Sequence, residues 1–152
     1  RRIRAEFLLD SISQITGTGN RFPRLPADAR AVQIADGAVS NYFLSTFGRA
    51  PRETVCSCEV ESTPTLSQAF HLLNGDTTNK KIRDGDRVGK WLDQGWTAEQ
   101  VISELYRLCF SREITTAEKQ RLVQTIDSSN PKASLEDVFW ALLNSKEFLF
   151  NH

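Results

Sequence analysis

A chain of 152 residues is long enough for one domain with a real hydrophobic core. Its 19 basic residues balance 19 acidic ones, which removes the broad cationic field that drives nucleic-acid binding. No run reaches the ~18 consecutive apolar residues of a membrane helix, and no signal-peptide pattern is visible. The chain starts at Arg1 and contains no Met, so it reads as a fragment of a larger protein, with residues 1–152 forming a single helical domain.

The pattern predicts helix from Arg2 to Thr16, because Ile3, Phe7, Leu8, Ile12 and Ile15 recur at helical spacing and Gly17 follows as a stop. Gly17 to Gly37 carries Gly17, Gly19, Pro23 and Pro26 with little periodicity. It reads as a long irregular loop with a short extended piece at Ala31–Ile34, and loops of this length are commonly functional or disordered. A short helix is expected over Val39 to Phe47, closed by Gly48. Arg49 to Ser62 reads as irregular. Thr63 then caps and Pro64 opens a helix with Leu66, Ala69, Phe70 and Leu73 as its apolar stripe, ended by Asn74-Gly75.

Asp76 can cap a segment running toward Asp84. Val88, Trp91 and Leu92 continue it to Gln94-Gly95, as one helix kinked at Gly85 or Gly89 or as two short ones. Thr97 with Gln100, and Thr115 with Glu118, are capping boxes, in which each side chain satisfies a free N–H of the first turn. The first opens a helix carrying Val101, Ile102, Leu105, Tyr106, Leu108 and Cys109; the second opens one carrying Leu122, Val123 and Ile126. Ser134 is read as the cap of a last helix with Leu135, Val138, Phe139, Leu142 and Leu143, interrupted at Asn144-Ser145 before Phe148–Phe150. Phe139, Trp140, Leu143 and Phe148 are the first core candidates. No strand pair and no exact repeat is visible. The fold class is all-α, a compact domain of about six or seven helices with a long loop near its N-terminal end.

Three stretches resemble a known family: ESTPTLSQAFHLLNG at 61–75, ELYRLCFSR at 104–112 and WALLNSKEFLFNH at 140–152. The Phe47-Gly48-Arg49 and Cys56-Ser57-Cys58-Glu59 stretches are similar to it as well. Together they resemble the C-terminal domain of unknown function of large planctomycete proteins, which often carry cytochrome-c-like domains upstream. The resemblance implies a bacterial, exported or periplasmic parent with this domain at its C-terminal end and haem nearby. It implies no activity. The chain has no Cys-x-x-Cys-His, so no haem attaches here and no cofactor is expected within it, a metal ion being the one open possibility.

Cys56-x-Cys58, with His71 and Glu59 or Glu61, supplies two thiolates, an imidazole and a carboxylate, an acceptable donor set for zinc. The spacing falls short of the Cys-x2–4-Cys pairs of structural sites. The plainer alternatives are a loop with a buried cysteine, or a bridge from one of the pair to Cys109. A Cys–His nucleophile lacks an orienting third group here, and His71 at the polar edge of its helix reads equally as structural. Asp84-Gly85-Asp86, with Asp76 and Asn79 upstream, fails the spacing of a calcium loop and reads as a turn. Arg49 and Arg52, with Arg30, suit an anion or a partner's carboxylate, or else ordinary ion pairs with Asp36, Glu59 or Glu61. The basic run Asn79–Arg83 reads as a solvated helix face. Trp91, Trp96, Tyr42 and Phe22 can stack on a sugar or a partner, or pack.

The functional expectation is a non-catalytic interaction or structural module. It docks against upstream domains of its parent or a neighbouring protein through Arg49–Glu61 and the Gly17–Gly37 loop. The alternatives are a metal- or ligand-binding module at Cys56, Cys58 and His71, and an accessory part of an enzyme completed by other domains.

Overall fold

The computed structural model describes residues 3–27, 29–35, 39, 41–49 and 76–150. Its elements are α1 (Ala5–Thr16), a 3-10 turn (Ala31–Gln33), α2 (Tyr42–Thr46), α3 (Asp76–Gly85), α4 (Arg87–Asp93), α5 (Ala98–Phe110), α6 (Thr116–Val123), α7 (Pro131–Leu143) and α8 (Lys146–Leu149). Among the described residues there is no strand element, and the fold is all-α. Eight helices stand among the described residues, because the corner after Gly85 and the interruption at Asn144-Ser145 each divide a helical stretch. Asp86 adopts a left-handed φ of 45° between α3 and α4, and Ser145 recaps the chain after α7 by accepting from Phe148 N at 3.2 Å.

The helices form where local chemistry and apolar spacing agree. Thr97 Oγ1 accepts from Gln100 N at 3.3 Å while Gln100 Oε1 accepts from Thr97 N at 2.8 Å. Thr115 and Glu118 repeat the exchange at the head of α6. Two other starts differ from the sequence reading. Helix α2 begins at Tyr42 because the Asn41 side chain accepts from Leu44 N at 3.1 Å. Helix α7 begins at Pro131 under Asn130, whose side chain accepts from Ala133 N at 3.3 Å. Ser134 lies inside α7 and does not cap it; its hydroxyl accepts from Asp127 N at 3.1 Å.

Helix α7 lies at the centre of the C-terminal half, packed on α3, α4, α5 and α8. Leu135, Phe139 and Leu143 on it, and Val101, Ile102 and Leu105 on α5, are almost fully buried. Each such side chain contributes ~1.5–3 kcal/mol relative to exposure. Phe139, Leu143 and Phe148 are core residues as expected, whereas Trp140 is half-buried at its edge. Helix α1 packs on α2, α3 and the 3-10 turn, which makes α3 the shared neighbour of the two halves. Lys132 at the start of α7 clasps Asp86 at 2.8 Å, and Ile3 N donates to Leu149 O at 3.1 Å.

The long N-terminal loop is packed rather than loose over its described residues. Phe22, Ala29, Ala31 and Ile34 enter the core. The extended piece expected at Ala31–Ile34 is a 3-10 turn, because a carboxylate of α1 gathers its first two amides. Phe7, counted in the apolar stripe of α1, is 52% exposed.

Candidate functional site

The C-terminus of α1 is held by several side chains. Gly17 turns the chain in the left-handed region, with φ 73°. Thr16 Oγ1 donates to Ile12 O at 2.7 Å and meets Thr18 Oγ1 at 2.9 Å. Two cations from the following helices arrive there: Arg87 donates to Gln14 O at 3.0 Å, and Lys81 Nζ donates to Thr18 Oγ1 at 3.2 Å and Gly19 O at 3.1 Å. Positive charge at a helix C-terminus complements its unsatisfied carbonyls and its dipole.

Beside this junction α1, the Thr18–Arg21 turn, α2 and α3 enclose a groove of about 600 Å³. Its charged lining is Arg21, Lys80 and Lys81 against Asp84. Asn20, Asn41, Thr77 and Tyr42 complete its polar wall, and Tyr42 is 71% exposed. Burial holds the Lys81 ammonium below the ordinary lysine value, opposed by attraction to Asp84 and Asp10. A second groove, of about 390 Å³, lies over α5 and α6 and carries Glu99, Glu104 and Glu113 against Arg107 and Lys119. The net neutrality of the chain therefore conceals two oppositely biased surfaces.

Asp10 fixes the loop that borders the first groove. It is 7% exposed, and its carboxylate accepts from Ala31 N at 2.6 Å and Val32 N at 3.2 Å. Arg30 lies 3.7 Å away as its ion-pair partner. The Arg49 guanidinium, 4% exposed, faces Glu6 at 3.5 Å and donates to Val39 O at 3.1 Å and Ile34 O at 3.4 Å. In the described residues Arg49 is thus a strut between α1 and the chain after α2.

Arg112 performs a similar role in the C-terminal half. Its guanidinium forks onto Glu118 at 2.8 and 3.1 Å and onto Glu147 at 2.6 and 3.0 Å, so one side chain joins the ends of α5, α6 and α8. It also lies over the Tyr106 and Phe110 rings, 5.2 and 5.5 Å from their centroids. Hydrogen bonds from Arg112, then from Thr115, hold the Glu118 carboxyl down from the ordinary 4.5 to about 2. The folded state therefore releases this proton more readily than the unfolded one. The resulting stabilisation is fully present above about pH 4.5 and is lost as the pH falls toward 2. Melting curves from about pH 6 to about pH 2.5 should show Glu118→Gln losing its deficit relative to the parent as acid is added. A deficit that stays constant across that window would refute the assignment.

The remaining sequence candidates separate by place. Cys56, Cys58 and His71, with Glu59, Glu61 and Arg52, lie outside the described residues, as do His152 and the helix expected after Thr63. Among the described residues no group of three His, Cys, Asp or Glu is gathered as for a metal ion. None of their helices is long and apolar enough to cross a membrane. Phe22 is core, not a stacking platform. Trp91 and Trp96 stack on each other, with ring centroids 5.4 Å apart and planes 11° from parallel. Asp84-Gly85-Asp86 forms the α3–α4 corner, as read. Cys109 is a free thiol, and burial pushes it up to about 12. Its peptide should carry iodoacetamide label at pH about 8 at least a hundredfold more slowly in native than in denatured protein, since the thiolate is the nucleophile. Equal labelling by peptide mass spectrometry would contradict that burial.

Asp10, Lys81 and Arg112 were not singled out as site residues from the sequence. Asp10 carried a signal, as the one carboxylate on the buried side of α1, between Leu9 and Ile12. Lys81 sits in a basic run whose solvated reading holds for Lys80 and Arg83, both exposed, and fails for Lys81, which the turn after α1 half-covers.

Taken together, the fold and groove define a small all-helical module with a polar, cation-lined cleft. The chain belongs to the family described as PSD1, protein of unknown function (DUF1553), whose family model matches residues 1–126. This is the planctomycete-associated C-terminal domain that the motifs resemble. The first two signature stretches fall inside the matched region, and the third, from Trp140, lies beyond it. No curated protein and no solved structure matches the chain.

Proposed function

We propose that the domain is a non-catalytic interaction module that docks onto the upstream region of its own polypeptide, within an exported bacterial protein. The observation that carries this reading is the groove between α1, α2 and α3, walled by a 71% exposed tyrosine and held rigid by Asp10 and Lys81. Exposed aromatic rings beside fixed polar groups are the usual anchors of protein contacts. The family membership and the motif resemblance support the bacterial source and the export.

Isothermal titration of the domain against the separately produced upstream region tests it. A one-to-one complex that Tyr42→Ala weakens about tenfold or more is expected. Failure of the two pieces to associate at any accessible concentration would end the intramolecular reading. A neighbouring protein would then be the occupant to seek.

A further inference from the structure

The docking reading leaves the chemistry of the docked segment open, and the groove specifies it. Among the described residues of its lining, three cations, Arg21, Lys80 and Lys81, face one carboxylate, Asp84. The Asn41 side-chain oxygen is spent on the cap of α2, where it accepts from Leu44 N at 3.1 Å, so its NH2 group is what remains for a ligand. Lys81 has two of its donors directed at Thr18 and Gly19. That fixes its ammonium at the inner wall, where burial removes part of its water. The site is therefore rich in donors and poor in acceptors, and it is preformed.

Resting on the docking reading, we propose that this groove receives an extended acidic peptide segment, whose carboxylates are held by Lys80, Lys81 and Arg21. Lys81 is the inner contact and sets register, because Thr18 and Gly19 anchor its ammonium. Lys80 and Arg21 are exposed and act mainly on encounter, where complementary charge accelerates association and salt screens it. Tyr42 supplies an apolar ring beside the charges, which suits a polypeptide with alternating acidic and apolar side chains better than a bare anion.

The test is fluorescence anisotropy on the intact domain with a fluorescein-labelled peptide of alternating Glu and Leu. A Gln-for-Glu peptide and inorganic phosphate serve as comparisons. The Glu peptide should bind, weaken about tenfold between roughly 50 and 300 mM salt, and weaken about tenfold again for Lys80→Glu with Arg21→Glu. Those two side chains are exposed, so the variant should keep the native helical dichroism. Equal binding of the Gln peptide, or no binding of the Glu peptide, would overturn the proposal. Binding of phosphate with a Kd of about 1 mM by isothermal titration, without any peptide affinity, would overturn it in favour of a simple oxoanion site. The two proposals fail separately. If the upstream region binds but neither salt nor charge reversal alters its affinity, docking stands and the acidic segment does not.

Discussion

Gly85→Ala is expected to destabilise the domain by about 3 kcal/mol, lowering the melting temperature by roughly 6–12 °C. A Cβ at this position would lie 1.9 Å from the Thr16 carbonyl oxygen and 3.0 Å from its carbon. The obstacle is backbone at the end of α1, so no side chain can rotate to make room. Either α1 moves off α3, breaking the bond that Arg87 makes to its last turn and those that Lys81 makes to the turn after it, or α3 unwinds at its end. Gly89→Ala is the matched comparison. Its Cβ would meet Asp86 Oδ1 at 2.4 Å, the far end of a side chain that can turn away at the loss of its half-exposed ion pair with Lys132. Alanine also gains roughly 0.8–1 kcal/mol of helix propensity over glycine. A loss below about 1 kcal/mol is expected there. Equal losses at both positions in thermal denaturation would show that the corner does not rest on Thr16.

Asp10→Ala should be nearly as damaging, at about 3 kcal/mol. The substitution leaves the Ala31 and Val32 amides without their acceptor, and Ala31 is fully buried. An orphaned buried donor loses ~1–3 kcal/mol of desolvation energy, and bonds to a charged acceptor stand at the upper end. Asp10→Asn keeps one acceptor oxygen and should lose about half as much. The effect should be local before it is global. The turn would release Phe22 and Ile34, and trypsin should then cut at Arg21, Arg24 or Arg30 well before it cuts in α5 or α7. Uniform digestion of the variant along the chain would argue that Asp10 does not hold the loop.

The C-terminal half was legible because its information is local. Thr97 and Thr115 announce their helices through residues three positions away, and Leu135, Phe139 and Leu143 mark one face by spacing alone. In the N-terminal half α1 and its Gly17 stop were legible, but the loop that follows was not, because its determinants are distant in sequence. The turn at Ala31–Gln33 exists through a carboxylate 21 residues earlier, and no local pattern distinguishes it from an extended piece. Phe22, between two glycines and two prolines, has no periodic partner to mark it as core. The candidate site suffers from the same remoteness. Lys81 reaches Gly19 across 62 residues of sequence, and within its own helix it is indistinguishable from its exposed neighbour Lys80. The sharpest chemical pattern, Cys56, Cys58 and His71, lies outside the described residues, so the groove combines Thr18–Arg21 and Tyr42, which the sequence offered as partner contacts, with Lys80 and Lys81, which it read as a solvated face.

The position of α3 between the two halves has a kinetic meaning. Helices α4 to α8 meet neighbours a short way along the chain, so their contacts close small loops and can form early. The contact of α1 with α3 closes a loop of more than 60 residues, and the entropy of that closure must be met before Lys81 and Gly85 reach the end of α1. Loop closure alone therefore predicts that the C-terminal helices form first, as a template, and that α1 docks after them. The groove is completed in the same step, so a chain that can bind is a chain that has finished folding.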